Sequence, residues 1–285
     1  MTPRDETRRM RPLLGTFVEI GAAGQGRHTQ DAIAAAFSGI EQIQQTLSFQ
    51  QKDSELSALN AAPGEWVRLS ATSLRVLRLA CSMMRLSDQL FDCTVGGALV
   101  AQQALPAHGE LPFLLSGEAS DIEIRQDAAR LRRPVRVTLD GIAKGYAVDR
   151  AIALLKQHRI PFGWVNAGGD MRVFGERILP VVQRKLDGTT QALGGLQNAA
   201  LATSRVCGEA DNDFPGRIVG RSQWESPLNG ANASPQGEVL SVIAKFAWRA
   251  DALTKVAALA PGNERAERVA RLGGLLVVGV STCVA

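Results

Sequence analysis

Residues 140–149, DGIAKGYAVD, join two different hydrophobic periods. Before them, residues 135–139 (VRVTL) read as a strand. After them, Val148, Ala151, Ile152 and Leu155 recur at helical spacing to about residue 158. A strand running through glycine into a helix start allows few arrangements. It presents unpaired backbone N–H groups and the positive end of the helix dipole at the join, and Lys144 adds a charge there. Two readings are open: an anion site, or a tight turn with Lys144 in solvent. The segment contains neither G-x-G-x-x-G nor G-x-x-x-x-G-K-[ST], so it supports neither a dinucleotide fingerprint nor a P-loop.

The rest of the chain mixes both periods. Residues 14–20 alternate as a first strand. Residues 29–47 form a helix with Ile33, Phe37, Ile40, Ile43 and Leu47 on one face. Residues 48–60 read as a loop with a short helical turn. Residues 70–90 read as a second helix with Leu74, Leu77, Cys81 and Met84 inward. The glycines of FDCTVGGALV imply backbone packed closely against something, and 105–131 is a loop-rich insert with short pieces. FGWVNAGGDMRVFG is two strand halves separated by Gly168 and Gly169, which alone suggest a bulge or hairpin. Strands are expected at 178–184, 196–203 and 239–247, helices near 250 and over 263–272, and a closing strand at LLVVGV. Residues 208–237, rich in Gly, Asn, Pro and Ser, read as a long irregular loop. The mixture is α+β, without internal repeats.

Composition narrows the function classes. With 45% hydrophobic and 21% charged residues among 285, the chain is globular. Its net charge of +4 comes with arginines scattered in threes (Arg8, Arg9, Arg11; Arg130, Arg132, Arg133; Arg265, Arg268, Arg271), which suit solvated faces. Aromatics at 5% argue against a stacking platform for nucleic acid. No apolar run reaches the roughly 18 residues of a membrane span. The polar start lacks the apolar core of a signal peptide, so a cytoplasmic location is expected. Cys81, Cys93, Cys207 and Cys283 are far apart and form no C-x-x-C. They are expected as reduced thiols, mostly buried. His28, His108 and His158 lack metal-ligand spacing. On the residues alone, Asp251 in RADALTKV is explained as the cap of a helix start.

In order, the chain carries PLLGTFVEI, TLSFQQKDSELSALN, LFDCTVGGALV, LDGIAKGYAVDRA, WVNAGGDMRVFG, ALATS and ADALTKV. Together these resemble the FAD:protein FMN transferase family, the ApbE type, over residues 13–276. The resemblance implies a single domain over 1–285 with a two-lobed α+β fold of mixed sheets and packed helices, 208–237 being an irregular loop. It also implies protein flavinylation: FAD is cut at its pyrophosphate with Mg²⁺, FMN passes to a Thr or Ser hydroxyl of an acceptor flavoprotein, and AMP leaves. Neither nucleic acid nor a membrane span is expected to take part. The flavin-contacting positions would be Leu14, Gln50, Leu90, Phe91, Asp92, Asp140 and Tyr146. The metal would be held by the Ala143 carbonyl, Asp251 and the positions at Thr254 and Lys255.

This chain departs from the family pattern at several of these positions. Leu14 stands where Met is usual, and Gln50 where Tyr is usual, with Phe49 adjacent as a substitute ring. Lys255 stands where Thr is usual, and an ammonium cannot ligate a cation. Three readings of the metal position are open: Thr254 takes over, Lys255 occupies the metal's place, or the metal binds weakly. Arg205 replaces a Gly after ATS, and the usual His-x-x-Asp-Pro is absent. The catalytic base is therefore unknown, with Asp211, Asp213 and Glu225 as carboxylates within reach in sequence. Alternatives on the same fold are a non-catalytic flavin-binding or assembly factor and an FAD pyrophosphatase.

Overall fold

The computed structural model describes residues 5–109, 112–206, 218–220 and 237–277. The first two strands, β1 (Glu6–Leu13) and β2 (Thr16–Ala23), form a hairpin closed by Leu14 and Gly15, with Leu13 opposite Thr16. Both turn residues have positive φ, 57° and 68°. That is the two-residue turn whose twist suits a hairpin. The strand expected over 14–20 is thus β2, starting at Thr16, while Leu14 belongs to the turn that joins it to the unexpected β1. β1 escapes pattern reading because ETRRMRPL has no apolar face. It is an edge strand whose arginines point to water or pair locally, such as Arg8 with Glu6 and Arg11 with Glu41.

The helix α1 (Arg27–Leu47) buries all five residues expected on its inner face. After it come α2 (Glu55–Ala61), capped by Ser54, and the short β3 (Val67–Arg68). α3 (Ala71–Leu86) is capped by Ser70 and buries Leu74, Leu77, Cys81 and Met84. α4 (Gly96–Ala101) sits so close to its neighbours that a Cβ on Gly96 would lie 2.5 Å from the Arg136 carbonyl oxygen. The insert contributes β4 (Ile122–Ile124) and β5 (Ala128–Leu131), which pair with β3 in a three-stranded sheet. Residues 135–139 are extended, with Val135, Val137 and Leu139 buried, yet they make only one isolated bridge, Val95 to Arg136. Their backbone is satisfied otherwise. Val137 donates to Asn60 Oδ1 (2.7 Å) and accepts from Asn60 Nδ2 (2.8 Å), and Thr138 N donates to the Cys93 carbonyl.

The second half builds the main sheet. α5 (Ala143–Gln157) leads to the hairpin β6 (Gly163–Ala167) and β7 (Asp170–Phe174), turned by Gly168 and Gly169. β8 (Leu179–Arg184) and β9 (Thr190–Leu196) form a separate hairpin. The expected strand at 196–203 is therefore the end of β9 and most of β10 (Ala200–Val206). β11 (Glu238–Ala244), α6 (Ala247–Leu259), α7 (Arg265–Arg271) and β12 (Gly274–Val277) complete the described chain. The main sheet runs β1-β2-β6-β7-β10-β11-β12, and every pairing in it is antiparallel. The fold is α+β.

α1, α5 and α6 pack together, and the large core lies beneath them. A smaller cluster, in which Phe162, Trp164, Val173 and Leu201 meet Val181 and Leu196 of the β8–β9 hairpin, forms a second core. Alternation along β6, β7 and β10 supplies both cores, since successive side chains leave a strand on opposite sides. Each fully buried Leu, Ile or Phe contributes about 1.5–3 kcal/mol.

Candidate functional site at one end of the main sheet

Three turns or strand ends converge. A Cβ on Gly168 would lie 2.5 Å from Thr16 Oγ1, and one on Gly169 would lie 3.6 Å from Thr203 Cβ. The Leu14–Gly15 turn, the Gly168–Gly169 turn and the Thr203–Ser204 stretch of β10 therefore share one end of the sheet. The start of α5 reaches the same end through an ion pair, Lys144 Nζ to Asp170 Oδ2 at 3.0 Å. Asp170 opens β7 and is 1% exposed. Its negative charge raises the Lys144 pKa well above the ordinary lysine value, so the ammonium is fixed in its charged form.

The DGIAKGYAVD turn answers to neither reading as first framed. Ile142 and Ala143 donate their N–H groups to the Leu139 carbonyl (2.9 and 2.7 Å), and Gly145 donates to Asp251 Oδ2 (3.1 Å). These amides are used within the protein, and Lys144 is paired rather than free. What the turn presents is side-chain charge. Gly141 lies under Phe91 and the Lys255 stem: a Cβ there would stand 3.1 Å from Phe91 Cε2 and 3.6 Å from Lys255 Cε. Asp140 opens to solvent beside them, but surrounding protein crowds its carboxyl. Burial raises its pKa, against the opposing pull of Thr138, Lys144 and Lys255.

α5 and α6 cap each other. Asp251 of α6 accepts from Gly145 in the first turn of α5. Asp149 of α5 accepts from Ala247 N (3.1 Å) and Trp248 N (3.0 Å), the first amides of α6, and pairs with Arg172 at 2.5 Å. Asp251 is therefore not the cap of its own helix. α6 begins at Ala247, so Asp251 sits in its second turn, fully buried and directed at the neighbouring helix. Asp149 supplies the cap that the sequence suggested for Asp251. Burial raises the Asp149 pKa, and Arg172 opposes that shift.

Lys255 projects from the same face of α6 as Asp251, as positions i and i+4 must, and its ammonium bonds Asp251 Oδ1. It also reaches Ser204 Oγ at 3.4 Å. Ser204 and Thr254 share a hydrogen bond of 2.7 Å, and Thr254 Oγ1 donates to the Asp251 carbonyl, also at 2.7 Å. Both Asp251 carboxylate oxygens and the Thr254 hydroxyl are thus engaged with protein partners. The fourth member of the expected metal set, the Ala143 carbonyl, belongs to the first residue of α5. A hard divalent ion wants several free oxygens. Here an ammonium bonds the only carboxylate of the set, so the donor set as arranged does not fit such an ion. Among the described residues no group of three or more His, Cys, Asp or Glu side chains is placed to hold a metal.

The expected flavin positions divide into two groups. Phe91 is buried against Gly141, with half-buried Leu90 and Asp92 beside it, and Asp140 and Tyr146 flank the same turn. Leu14 and Gln50 stand at the C-terminal end of α1: Leu14 N donates to Gln44 Oε1 (2.5 Å), and exposed Gln50 accepts from Ser48 Oγ (3.2 Å). Phe49, adjacent to Gln50, is 1% exposed in the core beside His108, so it offers no ring to the site. Asp170, Asp149 and Ser204 were given no role from the sequence. Asp170 and Lys144 each sit beside a glycine turn with opposite charge, and that was the available signal. Arg205 is the penultimate residue of β10, and Asp211, Asp213 and Glu225 lie outside the described residues, as does most of 208–237. Cys81 and Cys93 are buried and free, while Cys207 and Cys283 lie outside the described residues. Among the described residues no helix is long and apolar enough to cross a membrane.

Comparison with known proteins places the chain. The crystal structure of an ApbE protein of Thermotoga maritima superposes with a TM-score of 0.77 at 22% identity, covering 95% of this chain and 93% of that one. The apo flavinyl transferase ApbE of Pseudomonas stutzeri gives 0.73 at 18% identity, with the same coverage. Flavin transferase ApbE of Vibrio cholerae gives 0.73 at 20% identity, covering 94% and 89%. A curated relative, the FAD:protein FMN transferase of Klebsiella pneumoniae, is 25% identical over 169 residues. That alignment spans about half of each protein, 52% of this chain and 51% of the relative. The ApbE family profile matches residues 14–278, nearly the whole length, and this chain belongs to the ApbE family.

Proposed function

We propose that this chain transfers the FMN half of FAD to a Thr or Ser hydroxyl of an acceptor protein and releases AMP. The observation that carries the reading is the pair of ammonium groups at the sheet end. Lys144 and Lys255 are held by Asp170 and Asp251, both almost fully buried, beside the turn where a flavin dinucleotide would lie. Family membership and the named relatives point to the same chemistry. In the reaction, the acceptor oxygen forms a bond to the FMN-side phosphorus. The bond from that phosphorus to the AMP oxygen breaks, and the hydroxyl proton passes to a base. Phosphoryl-type transfer depends chiefly on positioning and on fixed positive charge against the phosphate oxygens. Two pre-positioned lysines supply such charge without reorganising. The flavin would rest near Phe91, Asp140 and Tyr146, with Leu14 and Gln50 at the far side. Mg²⁺ dependence belongs to the family resemblance; in this chain Lys255 and Thr254 already engage the donor set.

A second reading is favoured by that same occupancy: a flavin-binding factor that does not turn over. Incubation with FAD and candidate acceptors, followed by intact-mass analysis, separates the readings. One added FMN on the acceptor with AMP in solution supports transfer. FAD that binds and is never consumed supports the binding factor, and FMN with AMP and an unmodified acceptor indicates a pyrophosphatase.

A further inference from the structure

We propose that the Lys255 ammonium is a built-in cation: it holds the position at Asp251 that a divalent ion would need, and it engages the FAD pyrophosphate itself. The proposal rests on the flavin reading above and deepens it. An ammonium has three N–H donors. One is directed at Asp251 Oδ1 and a second, more weakly, at Ser204 Oγ. Among the described residues it has no third hydrogen-bond partner, which leaves one N–H for a ligand oxygen, and the Lys255 side chain is 18% exposed. The surroundings hold it there. Gly141 leaves room along the stem, with Cε and Cγ 3.6 and 3.7 Å from where a Cβ would be. Asp251 is anchored from the other side by Gly145 N, so the carboxylate cannot swing away without uncapping α5. Thr254, the hydroxyl that would have to serve a metal, is turned to the Asp251 carbonyl and Ser204. A metal could enter only by displacing Lys255 from a fully buried carboxylate, leaving an ammonium without its partner. Lys144, locked to Asp170, adds a second fixed charge. The ligand class is a dinucleotide pyrophosphate, bound by ammonium groups rather than through a bridging ion.

Two measurements on the full chain test this, and neither needs turnover. Binding of Mn²⁺ as a probe is followed by electron paramagnetic resonance in the wild type, Lys255→Thr and Asp251→Asn. FAD affinity is measured by flavin fluorescence with EDTA and with excess Mg²⁺. The expected result is no stoichiometric Mn²⁺ site in the wild type and a new one in Lys255→Thr, where Asp251 Oδ1 and a second hydroxyl are freed. Wild-type FAD affinity should agree within about twofold between EDTA and Mg²⁺. A stoichiometric Mn²⁺ site in the wild type that Asp251→Asn removes would overturn the proposal. So would a tenfold or greater loss of FAD affinity in EDTA. If Lys255→Thr does not fold, the two wild-type measurements still decide. Failure of FAD to bind under any condition would overturn the flavin reading itself, and the Mn²⁺ spectra alone would then decide whether Lys255 keeps the metal out.

Discussion

Gly145→Ala tests whether the closeness of α5 and α6 is required. In an ordinary helix interior this change stabilises, by about 0.5–1 kcal/mol, because alanine loses less backbone freedom. Here the new methyl would lie 2.3 Å from the Ala247 carbonyl oxygen, 2.5 Å from its carbon and 2.7 Å from Trp248 Cα. These are backbone atoms, and no rotamer can relieve the clash. A normal contact is about 3.5 Å, so the helix starts must separate by about 1 Å. Overpacking of this kind costs about 1–3 kcal/mol. The same shift stretches the reciprocal caps, Gly145 N to Asp251 and the Ala247 and Trp248 amides to Asp149, now 3.0–3.1 Å. Those caps contribute about 1 kcal/mol each. Less the propensity gain, the net loss is about 2–4 kcal/mol, a drop in Tm of about 5–15 °C for a domain of this size. FAD binding should weaken in step, since Asp251 and Lys255 move with α6. Urea and thermal unfolding measure the first effect and flavin fluorescence the second. Gly262→Ala is the control, because a Cβ there meets nothing within 4 Å. A Gly145→Ala variant as stable as that control would refute the argument.

Leu14→Asn places the residue this turn favours at a position where leucine pays about 1–2 kcal/mol for positive φ. Tm should hold or rise while FAD affinity falls several-fold. A Tm drop beyond about 5 °C would mean that packing, not a ligand, keeps the leucine. Asp251→Asn leaves an acceptor for Gly145 but strips Lys255 of its counter-charge, at an expected cost of about 2–3 kcal/mol. Adding Lys255→Met should recover most of that in urea unfolding, and strictly additive losses would show that the pair is not coupled. The Arg133 guanidinium holds the Asp121 carboxyl below the usual range. Its stabilisation is therefore complete above about pH 4 and is lost as pH falls through the lowered value. Because Arg133 is half exposed, about 1 kcal/mol at most is at stake. The stability gap between wild type and Asp121→Asn should close from pH 5 to pH 2, and a constant gap would exclude the ion pair as its cause.

The elements that could be read in advance are those whose physics is local. α1 has Ile33, Phe37, Ile40, Ile43 and Leu47 on one face, and all are buried. The Gly168–Gly169 hairpin likewise declares itself by composition, and the i, i+4 spacing of Asp251 and Lys255 was enough to bring their side chains together. β1 and β9 were invisible because each is a largely exposed strand, where pairing with its hairpin partner rather than an apolar face makes the strand. Residues 135–139 misled in the opposite direction. Their apolar alternation is real and buried, but an asparagine 77 residues earlier takes the hydrogen bonds a neighbouring strand would have made.

The same distinction explains why the sequence presents Asp251 as a cap of its own helix. An acid near a helix start looks alike whether it caps that helix or another. What separates the cases is the crossing of α5 and α6, and that crossing joins residues about a hundred positions apart. Once it exists, the odd composition of DGIAKGYAVD follows from it. Gly145 is where the helices touch, and its amide is the one Asp251 reaches. Asp149, one turn later, returns the favour to α6. Gly141 makes room for Phe91 and Lys255, and Lys144 answers Asp170 across the sheet end. A segment whose Ile142, Ala143 and Gly145 amides already have partners within the protein does not offer those amides to an anion. The charge it can offer a ligand is that of ammonium groups set in place by buried carboxylates, and in the proposed reaction Lys144 and Lys255 would supply the counter-charge of the pyrophosphate.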